Sequence, residues 1–395
     1  MNSTLNRRAF TRGLFAAAAG TFVPAAVQPV RAAAPLRIGL LAPLSGALTR
    51  VGETNRNCAA LAVDEINAAG GLLGRPLELR VEDTQMSTAT TLEKARQLFM
   101  RDGVAMITGM VLPSEREAVL QAAGAAGRLV IYPNFDEGRC HPHLFTTGLT
   151  ANQRVEPAIA WLMRGGGSTV CAVMSDIGSN RKVLVPELQA SAARHGGRLL
   201  DVSWLPFGTR DYGPVLQRVA ALRPQIVWHS IGDDPVSFVK QYRSFSMSPL
   251  LVSDIAHESL SIATGGAAAG TIGVSSYFMS VNTPANRDFL ARYTARYAGP
   301  RDPRLGPYAV VLPHGENTYA GIRLFAQAVR QAGSVDVDRV KVALARVSDA
   351  LPRGTTAVSS DGGHVLCQTL IGQDRADNSF GMLDVTGPVA PLCEA

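Results

Sequence analysis

The chain has 395 residues, 46% of them hydrophobic and 18% charged, which is a globular composition with length enough for two cores. Its formal charge is +6, but four of its arginines (Arg7, Arg8, Arg12 and Arg31) sit in the first 34 residues with no acid beside them. Without them the charge falls to about +2 and no basic cluster remains, which excludes a nucleic-acid footprint.

Those first 34 residues read as an export signal: a basic head, a short apolar run from Leu14 to about Val23, and small residues near Ala32 to Ala34. The run is too short to span a bilayer. Arg7-Arg8 with Phe10 just beyond is similar to the twin-arginine type. No cysteine lies near the cleavage region, so no lipid anchor is expected there.

The next segment, LRIGLLAP, is apolar almost throughout and predicts a strand buried on both faces. A helix is predicted over roughly 54–69, stopped by Gly70-Gly71. Strand PLELRVED ends at Asp83, a helix follows over about 87–101, then strand VAMITGM, another helix and strand LVIYPNF. This alternation over 36–135 implies a parallel sheet with helices on both faces. The pattern restarts with TVCAVMSD, a helix over about 181–195, RLLDVSWLP, a helix near 212–222, QIVWHSIG, a helix near 235–245 and LLVSD. Beyond these come GVSSYFM, a long helix over 317–331 and a Gly-rich, β-like end. The expected fold class is therefore α/β, with two doubly wound parallel-sheet units and a crevice between them, where ligands meet the carboxyl ends of strands.

The glycines of Gly70-Gly71-x-x-Gly74-Arg75 follow a helix and precede a strand, the reverse of a phosphate loop, and read as a structural turn. Cys58 and Cys171 fall inside apolar elements and read as buried thiols, while Cys367 with Cys393 is a candidate bridge. Cys140 stands beside His141 and His143, but two histidines two apart in a Pro-containing loop are weak grounds for a metal. There is no G-x-S-x-G or H-E-x-x-H motif, so neither an enzyme nor a cofactor is expected.

Residues 40–83, above all the run Asp64 to Pro76 (DEINAAGGLLGRP), resemble the start of type I periplasmic binding proteins of the branched-chain amino acid and amide group. VIYPNFDEG, HPHLFTTGLTANQ and SSYFMSVNTPANRDFLARY resemble its amide- and urea-binding branch. The resemblance implies two lobes joined by a multi-segment hinge, the first built from 35–150 plus about 280–325, the second from 151–279 plus about 326–395. It implies the periplasmic ligand-capture component of an ABC uptake transporter, a monomer in the periplasm with a permease as partner. The ligand would be a small polar nitrogenous solute: an amide, a urea or an amino acid. A ligand sensor reporting to a receptor is the alternative, and an exported enzyme a third.

Carried onto this sequence, the first-lobe contacts fall at Ser114, Tyr132 and Asn134. The second lobe offers Asp176, Ser179, Ser230, Asp233 and Asp254, each at or just past a strand end. Tyr132 could equally be a core aromatic, the three aspartates helix caps, and Asp136 and Glu137 solvent-facing acids. The branch places tyrosines where Val111-Leu112-Pro113 and Ile177-Gly178-Ser179 stand here, so a roomier pocket and a larger ligand are expected.

Overall fold

A computed structural model of the chain describes residues 34–297 and 310–392; the export signal and Cys393 lie outside them. The first βα series runs β1 (Leu36–Ala42), α1 (Thr49–Ala68), β2 (Leu77–Asp83), α2 (Thr88–Arg96), β3 (Met106–Thr108), α3 (Pro113–Ala126), β4 (Leu129–Tyr132) and β5 (Leu144–Thr146). These strands form a five-stranded sheet in the order β2-β1-β3-β4-β5, parallel throughout. Helix α1 starts five residues before its expected position. At its end Gly71 is obligatory: its φ is +80°, and a Cβ there would lie 2.2 Å from the Arg75 carbonyl oxygen. Leu72 and Arg75 pair across the turn that follows, so the glycine cluster is a tight hairpin-like turn.

The second series runs α4 (Ala151–Arg164), β6 (Thr169–Ser175), α5 (Val185–Arg194), β7 (Arg198–Leu205), α6 (Gly213–Leu222), β8 (Ile226–Ser230), α7 (Pro235–Ser244), β9 (Leu250–Ser253), α8 (Glu258–Thr264) and β10 (Ile272–Ser275). The tail adds α9 (Pro284–Tyr297), α10 (Pro313–Ala332), α11 (Val337–Leu344), β11 (Ser348–Leu351), β12 (Gly354–Val358), β13 (Val365–Leu366), β14 (Leu370–Asp374) and β15 (Phe380–Val385). The second sheet is seven-stranded, in the order β15-β14-β10-β9-β8-β6-β7, with β14 and β15 antiparallel at one edge. β11–β13 form a small antiparallel sheet of their own.

Each large sheet is buried on both faces, as its apolar strands require. Helices α1 and α10 cover one face of the first sheet and α2 and α3 the other. Helices α4 and α5 cover one face of the second, α6 and α7 the other. The tail divides later than expected. Val337, Val340, Leu351, Val365 and Cys367 pack into the same buried cluster as β1 and α1, and the chain joins the second sheet only at β14. Apolar residues on α11 and the small sheet extend the α1–α10 layer, which is why 326–367 stays with the first lobe.

The chain passes between the lobes at 147–150, 276–283 and 367–369. One polar network touches all three. Arg353, 1% exposed, pairs with the fully buried Glu316, donates through Nη1 to the Thr147 carbonyl (3.0 Å), hydrogen-bonds the Asn317 side-chain oxygen, and lies against the Cys367 sulfur (3.8 Å). Asn317 donates to the Pro133 carbonyl (2.7 Å) and accepts from the Ser276 hydroxyl (3.1 Å). Cys367 is a free buried thiol, as are Cys58 and Cys171. The expected Cys367–Cys393 bridge is therefore not formed; among the described residues Cys140 is disulfide-bonded.

Candidate functional site

The loop after β4 carries Asn134 and Phe135 and is held by the first crossing segment. Thr147 donates its amide to the Tyr132 carbonyl (2.9 Å), and Asp136 donates to Leu149 (3.2 Å) in a short parallel bridge with Thr150. The approach is closest at Gly148, where a Cβ would fall 1.8 Å from the Asn134 carbonyl oxygen, so only glycine fits. Arg116 ties down the loop's far end, 2.6 Å from Asp136 and 2.7 Å from Glu137. Those two acids are thus ion-paired loop anchors rather than solvent-facing groups.

From the second lobe, Arg154 projects from the first turn of α4. It forms a buried ion pair with Asp254, which follows β9, and lays its guanidinium over the Phe135 ring at 4.3 Å. On the first-lobe side His314, in the first turn of α10, stands 5.8 Å from the same ring. The geometry therefore brings Asn134, Phe135 and His314 of one lobe against Arg154 and Asp254 of the other. Burial raises the pKa of Asp254 above the ordinary carboxylate value, against Arg154 and the nearby Ser230 side chain at the end of β8, which both favour the ionised form.

Burial also sets the charge of the imidazoles. It lowers the pKa of His314 to about 3 and that of His257 to about 4, so both are neutral at pH 7. The cluster's formal charges, Arg154 and Asp254, cancel. Four of its buried atoms have no hydrogen-bond partner among the described residues: Asn134 Oδ1, Arg154 Nε, Asp254 Oδ1 and His314 Nδ1. Unpartnered buried atoms also occur elsewhere, among them Arg353 Nε and Glu316 Oε1 at the hinge; those gathered around Phe135 between the lobes are the ones a polar guest would satisfy.

Of the residues expected at a site, Asn134, Ser230 and Asp254 are in this cluster. Tyr132 is not: it is fully buried in the core under α3, its hydroxyl donates to the Val111 carbonyl (2.7 Å), and burial raises its pKa. Its position at a strand end is that of a core aromatic with a satisfied polar tip. Ser114 is exposed on α3, whose start is capped instead by Glu115 Oε2 accepting from the Val111 and Leu112 amides. Asp176 is exposed and paired with Arg181, which stacks on Trp204 at 4.2 Å. Ser179 is half-buried beside the π-helical turn Asn180–Leu184. Asp233 accepts the Gly208 amide (2.7 Å) and lies 3.8 Å from Arg210. The helix caps are neighbours of the expected aspartates: Asp234 caps α7 and His257 caps α8.

Sequence reasoning missed Arg154, Phe135 and His314, and with them His257, the buried cap of α8. Phe135 adjoins a chosen residue, and Arg154 stands between Gln153 and Val155 at the start of an amphipathic helix, where a buried arginine needs a partner. Nothing local marks the two histidines. Among the described residues no helix is long and apolar enough to cross a membrane.

A profile of the periplasmic binding protein family matches residues 35–377. Leu/Ile/Val-binding protein homolog 8 of Brucella abortus (strain 2308) is 25% identical over 351 residues, covering 82% of this chain and 83% of that protein. An ABC transporter substrate-binding protein from Sphaerobacter thermophilus superposes with a TM-score of 0.79 at 26% identity, covering 91% of this chain and 99% of the other. A solute-binding protein from R. palustris in complex with benzoate shares the fold with a TM-score of 0.77 at 20% identity, covering 90% and 97%.

Proposed function

Since this chain belongs to the periplasmic binding protein family, as a substrate-binding component of ABC transporters and not an enzyme, we propose that it captures a small polar solute of the amide, urea or amino acid class between its two lobes. The observation that carries the reading is the buried cluster of Asn134, Phe135 and His314 against Arg154 and Asp254, with four polar atoms left for a guest. The relatives named for Leu, Ile and Val and the neighbour holding benzoate support a small solute with a polar head.

In this reading the solute meets one lobe and then bridges both. Closure becomes favourable because its contacts are complete only in the shut form, which a permease in the inner membrane then recognises. The protein works as a monomer in the periplasm, delivered by its amino-terminal export signal. Native mass spectrometry of the freshly purified protein, followed by small-angle scattering with and without the solute it releases, tests this. A released small molecule that narrows the scattering profile when added back is expected. No bound molecule, and profiles unchanged by amides, ureas and amino acids alike, would reject capture.

A further inference from the structure

The acids that follow β6, β8 and β9 are all paired with arginines of their own lobe: Asp176 with Arg181, Asp233 and Asp234 with Arg210, and Asp254 with Arg154. In the facing loop, Asp136 and Glu137 share Arg116. Two of these pairs are buried: Arg116 with Asp136, side chains 5% and 0% exposed, which anchors the loop after β4 within its own lobe, and Arg154 with Asp254, 7% and 0% exposed, whose guanidinium lies over Phe135 of the facing lobe. We propose that Arg154 determines specificity: by engaging Asp254 it leaves the cleft without a free counter-charge, so the protein admits uncharged hydrogen-bonding solutes of the amide or urea type and rejects those carrying an ammonium group. The inference rests on the capture reading and narrows it.

The physical reason is desolvation. An ammonium group brought into a buried site needs an unpaired anion there. Taking Asp254 from Arg154 would only transfer the deficit to a buried guanidinium. Glu258, a buried acid without an arginine ion pair, does not serve either. Its Oε1 accepts the Met279 amide (2.6 Å), and burial raises its pKa to about 7, so a proton can neutralise it. The unpartnered atoms comprise two fixed acceptors (Asn134 Oδ1 and Asp254 Oδ1), one donor (Arg154 Nε–H) and His314 Nδ1, whose role follows its tautomer. An amide or urea presents N–H donors and a carbonyl acceptor in one plane and complements that set. A carboxylate offers acceptors only and would face two acceptors with one donor. An α-amino acid brings both an ammonium group and a carboxylate into a site whose own charges already cancel.

Calorimetric titration of the mature protein with two matched series, isovaleramide, isovalerate and isopentylamine beside benzamide, benzoate and benzylamine, with leucine added, tests this. The amides should bind about tenfold or more tighter than the amines and leucine, the scale on which an unpaired buried charge is felt. Arg154→Gln frees Asp254 and should raise amine affinity about tenfold relative to the amide. Asp254→Asn frees Arg154 and should favour the carboxylates instead, and the double variant R154Q/D254N should restore the wild-type order. If Arg154→Gln fails to fold, the other two variants still decide. An amine or leucine binding the wild type as tightly as the amides overturns the inference, as does an unchanged ranking in the folded variants. Silence towards every probe also overturns it; a co-purified solute seen by mass spectrometry would then leave capture itself standing.

Discussion

Two buried arginine–carboxylate pairs sit close to the line along which the lobes join, and they are built differently. Arg353, paired with Glu316 at the hinge, also binds the Thr147 carbonyl and the Asn317 side chain and lies against Cys367, all groups of the protein itself. Arg154, paired with Asp254 in the cleft, spends its remaining face on the Phe135 ring, and one oxygen of its partner carboxylate has no hydrogen-bond partner among the described residues. Burial and ion pairing are common to both, so neither feature marks a site. Unpartnered atoms are common to both as well: Arg353 Nε and Glu316 Oε1 lack a hydrogen-bond partner among the described residues, as do Arg154 Nε and Asp254 Oδ1. What surrounds each arginine does differ. Arg353 binds groups of the crossing segments and fixes their geometry, whereas Arg154 reaches across to a ring of the other lobe.

Truncation separates the two most strongly. Arg353→Ala strands a buried glutamate and breaks the hydrogen bonds to Thr147 and Asn317, for an expected loss of about 5 kcal/mol. Arg154→Ala strands Asp254 alone and should cost about 3 kcal/mol. Guanidinium chloride midpoints at unchanged slope measure both, and equal losses would break the contrast. Glu258 sharpens it as a buried acid with no arginine. Its pKa is raised by burial from 4.5 to about 7, so the folded state holds the proton more tightly than the unfolded one. Its favourable contribution is full below about pH 4.5 and is lost as pH rises to about 7, by at most about 3 kcal/mol. Glu258→Gln should therefore gain stability over the wild type across that window, and parallel pH–stability curves would contradict it.

Gly148 joins the two regions, because it follows Thr147 of the hinge network and presses on Asn134 of the cleft. Gly148→Ala puts a Cβ 1.8 Å from the Asn134 carbonyl oxygen and should cost about 2 kcal/mol and weaken solute binding together. A stability loss with unaltered affinity would uncouple hinge from cleft. The smallest effect is expected at the partly exposed Glu156. Burial opposes its ionisation, but hydrogen bonds from Arg194, Ser191 and His195 outweigh that and hold its pKa at about 2. This depressed value contributes stability above about pH 4.5 that is lost as pH falls towards 2, and after solvent screening Glu156→Gln should cost only about 1 kcal/mol at pH 6. An acid-unfolding series on both proteins should show that difference shrinking to nothing by about pH 2.

The strands were the most readable part of the sequence. LRIGLLAP and TVCAVMSD are apolar because both faces of each sheet are covered, and continuous hydrophobicity needs no partner to be recognised. β5 carries no strand signal in the sequence, and the β-like character of the tail does not resolve β11–β13 individually, because these strands are two to five residues long and without a period to read. The site was half legible. Asn134, Ser230 and Asp254 follow strands, which is a sequence-level property. Tyr132 shares that property and is core, because its hydroxyl finds the Val111 carbonyl. Asp176 and Asp233 share it too, and their arginines lie 5 and 23 residues away in the chain.

The sequence by itself determined the two parallel sheets, their flanking helices and the loops from which a site could be made, because each depends on the local period of apolar and small residues. Tertiary structure alone decided which strand-end acid is buried between the lobes and which cation neutralises it, that 326–367 packs with the first lobe, and that Cys367 stays a thiol beside Arg353. Arg154 and Asp254 are 100 residues apart in sequence and Arg154 and Phe135 lie on different lobes. Charge compensation depends on distance in space and on desolvation, neither of which a linear pattern carries.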